Sequence, residues 1–293
     1  ILQLRHTVSG DTMYKQYWYQ SGLNETMVAA LKDVADETVA RVTIEQGDII
    51  VDIGANDGTL LAQYSEEIKQ TTWLVGYEPS NLAPLGETAA HFMINDYFNA
   101  NAYNQIFTKP AKIITSIAMF YDLENPHIFI EDVKAILAHD GVWTIQLMDL
   151  MSMIQTNDFP NLCHEHLEYY KLANIVHLMY QHGLEVFDVA YNTVNGSSLR
   201  VYVGHNGVHR ITDSTENAWT CESEFFRDVG DVGAHFKEAV ESVRSGVVAF
   251  IKYQRSSGKT VCALGASTKG NTMLQYFGLG PNDIEHIAEI NPD

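Results

Sequence analysis

The chain has 293 residues, 46% hydrophobic and 19% charged, the balance of a globular protein with a sizeable core and a length that suits two domains. Lys and Arg number 18 against 37 Asp and Glu, a net charge of −19. A surface that acidic repels phosphate backbones, which argues against nucleic acid as a partner and fits a solvated protein. The three cysteines, Cys163, Cys221 and Cys262, are too scattered for a disulfide framework or a zinc site, which fits a reducing cytoplasm. No apolar run approaches the roughly 18–20 residues of a membrane span, so no membrane partner is expected. The opening "ILQLRHTVSG" lacks the order of a signal peptide. A first residue other than Met and an end directly after a strand-like run suit a chain trimmed at either end.

In chain order, residues 1–40 hold an aromatic stretch, "YKQYWYQSGLN", then a helix, "NETMVAALKDVADETVARV", with Asn24 as its N-cap. "DIIVDIG" is a short buried strand and "TLLAQYSEEIK" a helix. "TWLVGYEPS" is the second strand, "NLAPLGETAAH" is helical, "HFMINDYF" holds the third strand and "AKIITSIAMFYDL" the fourth. "PHIFIEDVKAILAHDG" reads as a helix ending at Gly141, and "VWTIQLMDL" as the fifth strand. Strands alternating with helices indicate a doubly wound parallel sheet. "KLANIVHLMYQHG" is a further helix, and "LEVFDVAYNTVNGSSLRVYVGH" an antiparallel strand pair. Residues 206–222 are polar and read as a loop, with a long helix over 223–257. "KTVCALGASTKGNTMLQYFGL" then repeats strand, glycine loop and helix, and "DIEHIAEI" begins the next step. The expected organisation is an N-terminal segment (1–40), an α/β domain (41–205), and a linker helix with the start of a second α/β unit (206–293).

"VDIGANDG" places Gly54 and Gly58 in a strand-to-helix turn, where glycine lets backbone approach a ligand and the helix start offers free N–H groups. Such a turn serves dinucleotides and S-adenosylmethionine alike. The spacing is G-x-N-x-G rather than G-x-G-x-x-G, with Asn56 where a second glycine would meet pyrophosphate. Asn56 beside Asp52 and Asp57 suits a ligand carrying ammonium and sulfonium charge. Glu78, ahead of Pro79 at the end of strand two, is placed to accept from ribose hydroxyls. Asn95 and Asp96 end strand three and are placed to read adenine; Ser116 and Ile117, with Met119 after them, are placed to cover its other face. Asp52, Gly54, Ala55, Asn56, Glu78, Pro79, Asn95, Asp96, Ser116 and Ile117 are therefore the expected cofactor residues.

After strand five, "NLCHEHLEYYKL" gathers His164, Glu165, His166, Tyr169 and Tyr170 at the carboxyl edge, where open α/β sheets bind ligands. The zincin spacing is absent and no third ligand is evident, so no metal is expected. The cluster supplies either a general base, oriented by Glu165 or Tyr169, or a packing cluster. "NGSSLRVYV" offers Asn195, Ser197 and Arg200 to a polar substrate, or is a plain hairpin turn. "LGASTKGNT" reads as a phosphate cradle of Ser267, Thr268, Lys269 and Asn271, or as a solvated turn; it is not a Walker A loop.

Four clusters, "YWYQSGLNETM", "VDIGANDGTLL" with "GYEPSNLAP", "HEHLEYYKL" with "NGSSLRVYV", and "GASTKGNTMLQYFGL" with "INPD", stand in an order that resembles the C-methyltransferases of nucleotide-linked 4-keto deoxysugars. The resemblance implies a Rossmann-like class I methyltransferase domain binding S-adenosylmethionine and a second Rossmann-like unit for the sugar's nucleotide. It implies His166 as the base, Glu165 as its neighbour, and Tyr17 and Tyr19 reaching the sugar. Tyr121 stands where a histidine is often found, and Cys163 where the family usually has tyrosine. The cysteine-rich zinc domain with which the family usually begins is missing, and about a hundred further residues would be expected after "INPD". The expected chemistry is removal of the C3 proton by His166 and attack of the enolate on the methyl, with Tyr169, Tyr19 or Tyr121 donating to the enolate oxygen. O- or N-methylation, a nicotinamide-dependent sugar oxidoreductase and a non-catalytic binding domain are the alternatives; monomer and homodimer are both open.

Overall fold

The computed structural model describes residues 2–3, 9–265 and 267–289. Five strands, β1 (Ile49–Ile53), β2 (Trp73–Tyr77), β3 (Phe92–Ile94), β4 (Ala111–Ile117) and β5 (Leu137–Met148), are joined by β6 (Leu184–Asn192) and β7 (Ser198–His205) in one sheet of order β3-β2-β1-β4-β5-β7-β6. All pairs from β3 to β5 are parallel, and β7 runs antiparallel to both its neighbours. β1 is buried along its whole length, as its unbroken apolar run requires. One apolar cluster holds Val51, Ile114, Trp143 and Val201; a second, on Ile50 and Ile113, is covered by Leu31, Val34 and Ala35 of helix α1 (Glu25–Val39). Asn24 caps α1, its side chain accepting from the Thr26 and Met27 N–H groups.

Four expectations need correction. "TLLAQYSEEIK" is two helices, α2 (Thr59–Ala62) and α3 (Glu66–Thr71), because Ser65 starts a new one by accepting from the Ile68 N–H. A short helix missed by the sequence reading, α4 (Ala100–Ile106), is capped by Asn99. Helix α5 (Pro126–Ile136) stops five residues before Gly141 because Leu137 turns extended, pairs with Ala111 and buries its side chain. Helix α6 (Leu150–Thr156) follows β5, and α7 (Leu172–Gln181) precedes β6. The polar stretch expected as a loop contains most of α8 (Asp213–Val229), with α9 (Val232–Ser256) after a break at Gly230. α8 buries Thr215, Ala218 and Glu222; Glu222 caps α7 by accepting from the Leu172 and Ala173 N–H groups. Its polar buried face hid the helical period from a reading based on apolar spacing.

After α9, β8 (Cys262–Leu264) and β9 (His286–Ala288) pair in parallel, with α10 (Thr268–Phe277) between them. Phe277 packs with Phe159 and Val240, joining this unit to the segment after β5. Residues 290–293, the "INPD" motif, lie outside the described residues. Among the described residues no helix is long and apolar enough to cross a membrane.

Gly58 has φ +78°, and a Cβ there would lie 2.8 Å from the Gly86 Cα. Its bare face meets protein rather than ligand, which corrects the reading of the turn. Gly58→Ala combines left-handed strain with a backbone clash. It is expected to cost about 2–4 kcal/mol, read as a lowered urea midpoint.

Candidate active site

The site is assembled where β1, β2, β4 and β5 end. The Gly54 and Ala55 N–H groups donate to the Tyr77 carbonyl at 2.9 and 3.0 Å, folding the loop after β1 across the end of β2. Gly54 adopts φ +77°, and Asn56 and Ala118 are left-handed at +54° and +56°. Non-glycine residues in that region mark backbone that the surroundings hold in place. Glu78 is buried, and its two oxygens accept from the Asn56 and Ser80 N–H groups at 2.8 and 2.9 Å. Asp52 is buried in β1 and accepts from the Thr115 hydroxyl at 2.6 Å. Burial pushes Asp52 up to about 7; the Thr115 hydrogen bond opposes this and the Glu78 charge adds to it.

Asp52, the Gly54 loop and Glu78 line a cavity of about 1040 Å³, which also takes in Tyr14, Tyr17 and Tyr19, Ile117 to Met119, Tyr121 to Leu123, Glu165 and His166, and Ser267 to Lys269. A single small ligand fills about 300–1,000 Å³, so this volume suits a cofactor and a substrate together. Residues 17–22 form a strap across it. Asn56 accepts from the Ser21 N–H and donates to the Tyr19 carbonyl, and Asp57 accepts from the Gly22 N–H at 2.8 Å. The Asn-Asp pair, expected to face the ligand, therefore also ties the aromatic segment over the loop.

His166 is mostly buried, with its ring centroid 4.4 Å from that of Tyr121. Its Nδ1 lies 2.9 Å from the Asn161 carbonyl oxygen. A carbonyl can only accept, so Nδ1 carries the proton and Nε2 keeps a free lone pair. Burial pushes His166 down to about 4; the bond to Asn161 opposes this, and the charges of Lys269 and His164 add to it. The ring is thus a neutral base at neutral pH. Asn161 is held in turn by Asp158, which accepts from its amide at 2.6 Å and stands 3.5 Å from Lys269 Nζ. The Thr268 hydroxyl lies 3.4 Å from Glu165. The glycine loop of the second unit therefore meets the histidine cluster, and Ser267 caps α10 through the Gly270 N–H.

Several expected residues are placed elsewhere. Ser116 accepts from the Trp143 indole inside the core. Asn95 donates to the Glu78 and Ser80 carbonyls, bracing the loop that carries Glu78, and Asp96 is exposed and accepts from the Tyr97 N–H. Tyr169 is buried with its hydroxyl donating to Asn161, and Asn271 accepts from Gln275 on the exposed face of α10. Arg200 is buried in β7 and donates to Gln146 and Asp33, a structural role that follows from its inward register. Ser197 lines the cavity, whereas the Asn195 side chain lies outside the described residues. Asp122 and Tyr14, neither of them a site candidate on sequence, also line it. An acid inside "AMFYDLEN" was the available signal. Among the described residues no group of three or more His, Cys, Asp or Glu could hold a metal ion.

The strand order, the reversed strand β7, the glycine turn after β1 and the acid after β2 define a class I, Rossmann-like methyltransferase fold with an adenosine site. Residues 23–189 match a family model described as "Methyltransferase domain", and the chain belongs to that family. Residues 193–293 match the "C-methyltransferase C-terminal domain". The chain is 26% identical over 293 residues to C-methyltransferase NovU of Streptomyces niveus, covering 99% of this chain and 69% of that protein. Magnesium protoporphyrin IX methyltransferase of Synechocystis with bound S-adenosylhomocysteine is similar at TM-score 0.46 and 11% identity, over 62% of this chain and 88% of that one. A Clostridium acetobutylicum S-adenosylmethionine-dependent methyltransferase gives 0.47 and 11%, over 61% and 92%.

The protein is an S-adenosylmethionine-dependent methyltransferase. The walls fit that cofactor: Glu78 keeps lone pairs for ribose hydroxyls, and the two buried acids Asp52 and Glu78 suit a ligand that brings positive charge. Because ionised Asp52 is favoured by such a ligand, binding releases a proton where Asp52 starts protonated. Affinity for S-adenosylmethionine is therefore expected to rise as pH climbs towards about 7 and to level above it. Calorimetry in buffers of different ionisation enthalpy measures the proton; Asp52→Asn removes the slope.

Proposed function

We propose that this methyltransferase methylates the carbon beside the ketone of a nucleotide-linked 4-keto deoxysugar, through an enolate generated by His166. The observation that carries the reading is the His166 tautomer: Nδ1 is fixed by Asn161, and Nε2 is left as a neutral base in the cavity that also holds the Gly54 loop and Glu78. When bound, S-adenosylmethionine supplies an electrophilic methyl group. The C-methyltransferase C-terminal domain and the likeness to a C-methyltransferase support carbon as the acceptor.

In this reading Nε2 of His166 takes the C3 proton and the electron pair moves into the carbonyl. Tyr17 and Tyr19 wall the sugar side from the strap, and burial holds both phenols above their ordinary range, so they stay neutral donors. Glu165 and Thr268 close the second unit over the reacting carbon. Ser267 and Lys269 face the substrate's diphosphate, and Ser197 a sugar hydroxyl. Excluding water from this pocket strengthens each of these interactions. The test is hydrogen exchange. In D₂O with S-adenosylhomocysteine, a thymidine-diphosphate-linked 4-keto-6-deoxyhexose is expected to lose its C3 proton signal with the wild type. Absence of exchange for every nucleotide-linked ketone in a panel contradicts the reading.

A further inference from the structure

Among the described residues, three buried polar groups of the cavity wall, the Tyr14 and Tyr77 hydroxyls and Asp122 Oδ1, have no hydrogen-bond partner. Asp122 Oδ1 and the Tyr14 hydroxyl are both buried and both lack a hydrogen bond, lying near one another but out of bonding geometry. Asp122 closes the turn after β4, next to Tyr121, whose ring packs on His166. An orphaned buried carboxyl oxygen destabilises the fold unless a ligand satisfies it. The tyrosine otherwise suited to an oxyanion, Tyr169, already donates to Asn161.

We propose that the Asp122 carboxyl hydrogen-bonds the substrate's carbonyl oxygen and holds it as negative charge develops there. This rests on the carbon-methylation reading. Burial raises Asp122 well above the ordinary carboxylate range, opposed by Tyr14 and reinforced by the Glu165 charge. In this proposal it acts as a neutral acid with an O–H to donate, the state that its burial favours. The groups facing it are Tyr14, Tyr17, Tyr121, Cys163, Glu165 and Tyr169. As His166 takes the C–H proton, the electron pair moves onto the carbonyl oxygen, and Asp122 donates to it without releasing its own proton. When the carbon takes the methyl, the carbonyl re-forms, and the electron pair of the broken S–C bond stays on sulfur. A carboxylic acid kept neutral by an apolar site serves this purpose in other enzymes.

The test compares wild type, Asp122→Asn and Asp122→Ala. Asn keeps a donor; Ala removes it. With the thymidine-diphosphate-linked 4-keto-6-deoxyhexose, C3 exchange and turnover are expected to fall about 10²–10³-fold in the Ala variant and about tenfold or less in the Asn variant. The alkaline fall in turnover attributable to Asp122 is absent in the Asn variant. The melting temperature stays level or rises in the Ala variant, because an orphaned buried carboxyl is removed, and stays level in the Asn variant, which keeps a polar group there. In the ligand-free protein at neutral pH, the infrared difference between wild type and Asp122→Asn is expected to show a protonated carboxyl band. A carboxylate band, or an Ala variant with wild-type exchange, overturns the proposal. A wild type that exchanges no C3 proton and methylates oxygen or nitrogen overturns the carbon reading itself, and the oxyanion role with it.

Discussion

Replacing His166 by glutamine is expected to lower turnover by about 10²–10⁴-fold while the affinity for S-adenosylmethionine stays within a few fold. Glutamine keeps a donor for the Asn161 carbonyl but offers no basic nitrogen. The pH dependence carries the same signature. Burial lowers His166 to about 4, so the base is already neutral at pH 6, and the acid limb of turnover due to this residue falls near 4 rather than near 6.5. The sign for stability follows. The unfolded histidine binds a proton below about 6.5 that the folded one refuses, so its contribution is present above 6.5 and lost as pH falls towards 4. Turnover against pH and urea unfolding at pH 5 and 7 measure the two effects. An acid limb near 6.5 contradicts the buried, carbonyl-bonded ring.

Glu78→Ala is expected to weaken S-adenosylmethionine binding by about 10²-fold or more. Two losses combine. The Asn56 and Ser80 N–H groups lose their acceptor, so the loop after β1 relaxes, and the acceptor for ribose goes with it. Asn56 also ties down residues 19–21, so the strap loosens as well. Glu78→Gln keeps one acceptor oxygen and is expected to lie between. Calorimetric titration measures the change; unaltered affinity contradicts the assignment of Glu78.

The sheet was legible because its strands are short apolar runs separated by clear turns, and the Asn24 cap and the antiparallel finish were equally readable. The elements misread were those whose signal is not apolar spacing: α8, with its buried glutamate, and the start of β5, where pairing with Ala111 overrides the helical pattern of the preceding residues. Within the site, residue types at strand ends pointed to the right region but not to direction. Arg200 and Ser116 sit where the sequence suggested a ligand, yet the register turns both inward. Asn95 is placed beside the cofactor loop and braces its backbone. Asp122 stood in an apolar run with no motif to mark it, and only the fold shows its orphaned oxygen in the cavity.

The central claim is that carbon receives the methyl group. Incubating the enzyme with methyl-¹³C S-adenosylmethionine and a thymidine-diphosphate-linked 4-keto-6-deoxyhexose, then recording long-range proton–carbon correlations of the product, tests it directly. The predicted result is a labelled methyl on the ring carbon beside the ketone, correlated with the carbonyl carbon. A labelled methoxy or N-methyl signal contradicts it.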